Sequence, residues 1–250
     1  MKTPRIKGII RRTRALLKND PSRFLRRVSG VIHVGANTGQ EIDLYQAYDL
    51  RVVWVEPIPE IFETLKTNIK DIKKHVALQC LVTDQDDIEY AFHVSNRGGQ
   101  ASSILELKEH KDIWPHVDFD RTIPLRSATL ATLLKREGIN VSEYDALVLD
   151  TQGAELLVLT GAVPILNAFK FIKVEVPDFE AYTGCCQLKD VEAFVQQHGF
   201  SEISRKNSRN ARKAEVTTTS STKKRVDILF CYPREIRLPT DGCQPSKTMC

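Results

Sequence analysis

The sequence predicts an α/β fold with a doubly wound, mostly parallel, Rossmann-like sheet that closes on a final antiparallel strand pair. Three observations predict it. Short apolar runs rich in Val and Ile alternate with amphipathic helical segments, as in successive βαβ units. The first run ends in a glycine-bearing turn at residues 35–39, and later runs end in Glu56, Asp150 and Glu175. Right-handed crossovers place all those ends along one edge of the sheet, where such folds bind ligands.

The elements follow in order. Residues 5–18 carry Ile6, Ile9, Ile10, Leu16 and Leu17 at helical spacing with arginines between them, a basic amphipathic helix that would dock on the core or lie on a partner. Residues 31–36 form the first strand, and 37–48 read as helix. A second strand at 52–56 is broken by Pro57 and Pro59, and 60–69 reads as a helix with Ile61, Phe62, Leu65 and Ile69 on one face. A third strand, 76–82, closes on the acidic turn 83–87. Residues 88–125 are less regular: 89–94 suggest an extra strand, 96–103 a flexible polar loop, and 113–115 and 123–125 irregular, strand-like pieces. Then come a helix at 129–136 with Leu130, Leu133 and Leu134 inward, a strand at 146–149, a helix at 154–159 and a strand at 171–176. A helix at 191–198 stops at Gly199. Strands 200–204 and 226–232 make the antiparallel pair. The expected organisation is a basic extension (1–28), one α/β domain (29–233) with a basic insertion at about 204–225, and a tail (234–250).

A chain of 250 residues, 42% hydrophobic, suits one globular domain rather than a fibrous or disordered protein. No run approaches the ~20 apolar residues of a membrane span. The basic N-terminus has no apolar run behind it, so the sequence carries no secretory-signal pattern and a cytoplasmic location is the expectation. The six cysteines form no C-x-x-C pair and stand at no zinc spacing from histidine, which predicts reduced thiols. Cys80 and Cys231 read as strand fillers, and the Cys185–Cys186 pair falls near the presumed pocket. The net charge of +4 conceals an asymmetry: residues 1–27 hold ten Lys or Arg against Asp20, so the rest of the chain is net acidic. The stretch 204–225, from Arg205 and Lys206 to Lys224 and Arg225, is the second basic segment. These segments are either solvated surface or contacts for phosphates, anionic membranes or acidic glycans.

In the turn after the first strand, Gly35 and Gly39 would bring a ligand close to the backbone, and N–H groups at the following helix start could hold a carboxylate. Glu56 lies 21 residues beyond Gly35, the spacing at which an acid accepts both ribose hydroxyls of a nucleoside. A dinucleotide fingerprint would need glycine where Asn37 stands. The Gly-x-x-x-Gly spacing serves a methionine carboxylate and ammonium better than a pyrophosphate, and so favours S-adenosylmethionine over NAD.

The segments HVGANTG, WVEPIPEIFETLKTNI and LDTQGAELLVLTGA together resemble the FkbM-type class I methyltransferases, over roughly residues 30–200. The third carries the specificity: Asp150-Thr151-Gln152-Gly153-Ala154-Glu155 resembles the family's Asp-x-Gln-Gly-Ala-Glu signature, and IKVEVP and NRGGQASSIL match in kind and order. The resemblance implies that Gly35, Ala36, Asn37 and Gly39 face the methionine moiety, Glu56 the ribose, and Thr83 and Asp84 the adenine. The residue two before Gly35 is usually acidic in class I methyltransferases; here it is His33, which could still hydrogen-bond and is retained as a cofactor-side candidate.

At the reacting end, a hydroxyl acceptor needs alignment with the methyl group and a base for its proton. Asp150 and Glu175 end neighbouring parallel strands, so their carboxylates would converge; Gln152 and Glu155 could orient acceptor or cofactor, with Asp150 touching both. Glu155 is equally well explained as a helix-start carboxylate. Converging carboxylates could instead hold a divalent metal, the less favoured alternative. His93, His110 and His116 are further candidate bases, and 95–103 is either an acceptor lid or an ordinary loop. The resemblance implies O-methylation of a sugar or other small-molecule hydroxyl, on a free or glycan-borne acceptor. Methylation of RNA or protein held by the basic segments, and a non-catalytic binding module, are the alternatives; no stacking aromatics interleave with the basic residues at 204–225, which counts against RNA.

Overall fold

The computed structural model describes residues 22–96, 98–208 and 224–232. The N-terminal helix expected at 5–18, residues 209–223 of the insertion and the tail at 234–250 lie outside the described residues.

Seven described strands form one sheet. These are β1 (Gly30–Val34), β2 (Arg51–Glu56), β3 (His75–Gln79), β7 (Ala146–Leu149), β8 (Phe171–Pro177), β9 (Ser201–Ser208) and β10 (Arg225–Cys231), in the order β3-β2-β1-β7-β8-β10-β9. The first five are parallel; β10 runs antiparallel between β8 and β9. The chain winds outward from β1 to β3 and restarts on its other side at β7, which makes the C-terminal ends of β1 and β7 the topological switch point.

Both faces are covered, as the unbroken apolar runs require. Ile32, Val53, Leu147, Ile172 and Ile228 meet α4 (Leu130–Arg136), α5 (Glu155–Gly161) and α6 (Leu188–Gln197) on one face. Val31, Val52, Trp54 and Val148 meet α1 (Ile42–Ala47) and α2 (Pro59–Ile69) on the other. Along α2, Ile61, Leu65 and Ile69 recur every four residues and are buried, and Pro59 fixes the first turn. A tight helical turn, Arg23–Arg27, sets Phe24 and Leu25 into the second face, so the end of the expected N-terminal extension packs with the core.

Several boundaries differ from the sequence expectation for local reasons. The helix expected at 37–48 begins only at Ile42, because residues 37–41 form tight turns. That expected at 191–198 begins at Leu188, because Gln187 and Asp190 form a reciprocal capping box. The strand expected at 76–82 divides at Cys80. β3 stays in the main sheet, while β4 (Leu81–Thr83) pairs with β6 (Phe119–Thr129), which in turn pairs with β5 (Glu89–Ser95). This small second sheet absorbs the extra strand and the piece at 123–125, and its apolar face packs on Ile58 and Ile61. A single turn, α3 (His110–Ile113), lies in the excursion between β5 and β6. Among the described residues no helix is long and apolar enough to cross a membrane. Cys80, Cys185, Cys186 and Cys231 are buried free thiols.

Candidate active site

A cavity of about 360 Å³ opens at the switch point, bordered by the ends of β1, β2, β7 and β8, by β4, by the loop after β5 and by the start of β10. Its size is that of a small-ligand pocket. Gly35 shapes its floor. The residue adopts φ +82°, and a β-carbon there would lie 1.9 Å from the carbonyl oxygen of Asp150. Only glycine lets the ends of β1 and β7 pack backbone to backbone.

The turn is self-bonded. Gly35 and Ala36 N–H groups donate to Val55 O, Gly39 N–H to Ala36 O, and Thr38 N–H to the Asn37 side chain. The N–H groups of residues 35–39 are all donated within the protein, so the glycine turn itself has no open N–H group for a ligand carboxylate. Asn37 ties the turn together, its N–H donating to Glu56 and its Nδ2 to Gly98 O across the cavity mouth.

Glu56 is buried, 4% exposed. Its Oε2 accepts from Asn37 N–H (2.9 Å) and its Oε1 from Ile58 N–H (3.0 Å). Burial pushes its carboxyl up to about 7, and the two N–H donors offset only part of that. Each oxygen keeps a lone pair for a further donor, so the carboxylate is built to receive two hydroxyls.

Asp150 and Glu175 both border the cavity, and Arg225 stands between them. The guanidinium lies 3.2 Å from Glu175 Oε1 and 3.7 Å from Asp150 Oδ1, and 5.9 Å above the Trp114 ring. Burial raises both carboxyls; the Asp150 charge adds to the rise at Glu175, Glu155 and Glu41 add to it at Asp150, and Arg225 opposes it at both. The pair thus takes up a proton more readily than ordinary carboxylates do. Gln152, in the left-handed region at φ 55°, donates through Nε2 to Asp150 Oδ1 and accepts from Tyr182 Oη (3.0 Å).

The structure brings His33, Gly35, Asn37, Glu56, Asp150, Gln152 and Glu175 to one cavity. It does not bring Ala36, Gly39, Thr83, Asp84 or Glu155 there. Ala36 is in the core; Gly39 packs against Ile42 and Leu65. Thr83 is fully buried with its hydroxyl bonded to Gln85 O, so the wall beyond the third strand is Cys80, Leu81 and Val82 instead, a consequence of the switch into the second sheet. Glu155 has no exposed surface, and its carboxylate accepts from Thr151 and Gly153 N–H groups, bracing the signature turn. Of the candidate bases, His93 bonds Thr122 and Glu106, and His110 is wedged between Trp114 and Tyr182; neither borders the cavity, nor does His116.

The polar loop 96–103 contributes Gly99, Gln100 and Ser102 to the wall. It is bonded in place: Ser95 N–H donates to Ser102 Oγ, and Ser103 Oγ donates to Gln152 O. Gly99 presses on Ile61 so closely that a β-carbon would lie 2.3 Å from its Cδ1. Sequence reasoning missed Arg225, counting it with a basic segment that is either solvated surface or a contact for anionic partners. The available signal was its place at the head of the apolar strand 226–232, which antiparallel pairing sets at the ligand edge beside Pro177. Glu41 and the apolar wall of Ile58, Leu81, Val82 and Phe92 were missed as well.

The donor set fits S-adenosylmethionine: a buried carboxylate for the ribose, an apolar wall for the adenine, and carboxylates for a cationic end. Among the described residues no group of three or more His, Cys, Asp or Glu is arranged to hold a metal ion. The profile of the Methyltransferase FkbM domain matches residues 33–202. The 2-O-methyltransferase NoeI of Sinorhizobium fredii is 26% identical over 171 residues, covering 64% of this chain and 68% of that protein. Similar solved structures include a precorrin-6y C5,15-methyltransferase from Geobacter metallireducens (TM-score 0.43, 10% identity, 90% of this chain and 86% of that one). Another is M. capricolum TrmK in complex with S-adenosyl-homocysteine (TM-score 0.45, 6% identity, 84% of this chain and 66% of that one). The match spans the glycine turn, Glu56, the Asp150 signature and Glu175, and the chain belongs to the FkbM family of S-adenosylmethionine-dependent methyltransferases.

Proposed function

We propose that the chain methylates a hydroxyl of a sugar or related small molecule, free or glycan-borne, with the Asp150–Glu175 pair taking the hydroxyl proton. The observation that carries this is the pair itself: two carboxylates from adjacent strand ends facing one cavity, with Arg225 between them. The 2-O-methyltransferase relative supports an oxygen acceptor.

Bound S-adenosylmethionine supplies a methyl group already activated on a sulfonium. Glu56 holds the ribose hydroxyls; Ile58, Leu81, Val82 and Phe92 receive the adenine and exclude water. Asp150, oriented by Gln152 and in turn by Tyr182, accepts the proton as the acceptor oxygen attacks, and Glu175 with Arg225 shares the charge. Such general-base assistance contributes roughly 10²–10⁴-fold. Glu155 acts through the turn it braces. Of the described basic residues of 204–225, Arg205 pairs with Glu192 and Glu202, and Arg225 lies inside the site.

The test is transfer of labelled methyl from S-adenosylmethionine to a panel of saccharides and small alcohols, beside amines, RNA and protein acceptors. The expected product is a methyl ether, with kcat lowered ~10²-fold or more by Asp150→Asn. Label appearing on nitrogen, on RNA or on protein, with none on a hydroxyl, would sink the proposal.

A further inference from the structure

We propose that His110 is a positioning residue for Asp150: with Trp114 and Tyr182 it forms a three-ring stack whose two ends hold the side chains that meet the Asp150 carboxylate. The inference rests on the reading of Asp150 and Glu175 as the proton-accepting pair. His110 opens α3, the single turn in the excursion between β5 and β6. It is 3% exposed, with its ring centroid 4.6 Å from that of Trp114 and 5.3 Å from that of Tyr182. Backbone bonds pin the turn to the chain after β8: the Lys108 and His110 N–H groups donate to Ala181 O, and Trp114 N–H donates to His110 O.

Both ends of the stack lead to Asp150. At one, the Trp114 ring lies 5.9 Å from the Arg225 guanidinium. That cation stands 3.2 Å from Glu175 and 3.7 Å from Asp150, longer than charge-assisted hydrogen bonds of about 2.7–2.9 Å. The carboxylates therefore attract it without fixing its plane, and the Trp114 face supplies the third restraint. At the other end, Tyr182 Oη donates to Gln152 Oε1 (3.0 Å), which turns Gln152 Nε2 toward Asp150 Oδ1. The imidazole between them works through its plane and not its nitrogens. Burial, with the Arg225 charge adding, lowers its pKa to about 4, so the ring is neutral near pH 7. Its buried Nδ1 has no hydrogen-bond partner among the described residues. An unpaired buried polar atom contributes nothing favourable, whereas a flat ring is what the gap between Trp114 and Tyr182 accepts. The fit is one of shape, which a phenyl ring also meets.

The carboxyl pair titrates among several charges: Arg225 and Lys173 as cations, Glu155, Glu41 and Asp227 as acids, beside the un-ionised Tyr182. Carboxyl-carbon NMR of the full chain reads its titration directly, with the signals assigned by Asp150→Asn and Glu175→Gln. His110→Leu fills the same space without a ring plane. It should raise the titration of the pair by ~0.5 unit or more, because Arg225 and Gln152 both loosen. His110→Phe should restore the wild-type titration. Tyr182→Phe keeps all three rings, removes only the bond to Gln152, and should raise Asp150 in the same direction. In the methyl-transfer assay the acidic limb of kcat should follow the same order. A pair unmoved by His110→Leu or by Tyr182→Phe overturns the assignment. So does an equal shift in His110→Phe, which would place the work on a ring nitrogen. The titration needs no acceptor, so a shift that Phe reverses upholds the stack whatever the transfer assay finds, and the acceptor reading fails only in that assay.

Discussion

Replacing Glu56 by Gln tests the cofactor pocket where its electrostatics are most unusual. In the native state burial lifts the carboxyl from 4.5 to about 7, a shift equivalent to about 3 kcal/mol. The sign follows from proton binding. Between 4.5 and about 7 the folded protein keeps a proton that the unfolded chain releases, so this group's contribution to stability is full below 4.5 and is lost as pH rises to about 7. Cofactor binding runs the other way. Ribose hydroxyls bind the ionised form, so the wild-type Kd should be flat above pH ~7 and rise about tenfold per unit below it. At pH 8 Glu56→Gln removes two charge-assisted bonds, and even ~3 kcal/mol in total is about 100-fold in Kd. The variant has no proton to lose, so its Kd should be flat and the two curves should converge near pH ~5. Calorimetric titration at four pH values reads both curves. Melting gives an independent readout. The amide leaves one N–H, of Asn37 or Ile58, facing a donor, at about 1–3 kcal/mol. At pH 8 loss of the buried charge offsets this; at pH 5 nothing does, so the variant should melt lower only in acid. Parallel Kd curves for the two proteins, or a wild-type Kd independent of pH, would refute the reasoning.

Two further predictions concern the switch point. Arg225→Met removes the guanidinium between Asp150 and Glu175 and leaves the more weakly acting Lys173 charge; the acidic limb of the kcat–pH profile should move up by at least ~1 unit, with Arg225→Lys giving an intermediate shift. An unmoved limb would remove Arg225 from the proton-accepting machinery. Gly35→Ala sets a methyl 1.9 Å from Asp150 O at φ +82°, and should lower thermal stability by at least ~3 kcal/mol, read by melting; a variant with wild-type Tm would contradict the packing described.

What the sequence determined by itself was the fold class and the strand ends that carry Gly35, Glu56, Asp150 and Glu175, because each is written in short-range pattern. Gly35 and Glu56 belong to one βαβ unit whose geometry leaves little freedom, and α2 shows its buried face in the spacing of Ile61, Leu65 and Ile69. The Asp150 and Glu175 ends follow from strand periodicity alone. Tertiary structure decided what depends on distant packing. Ser103 reaches Gln152 across 49 residues, a contact no local pattern encodes, and Arg225 meets Asp150 from the far end of the domain, where the strand pattern gives its edge but not its partner. It also turned the chain at Cys80 into a second sheet, which replaced Thr83 and Asp84 by Leu81 and Val82 in the wall. Glu155 shows the limit most clearly. Its place in the signature marks it as important, but whether a carboxylate faces a ligand or braces a turn is settled by which N–H groups surround it, and those came with the fold.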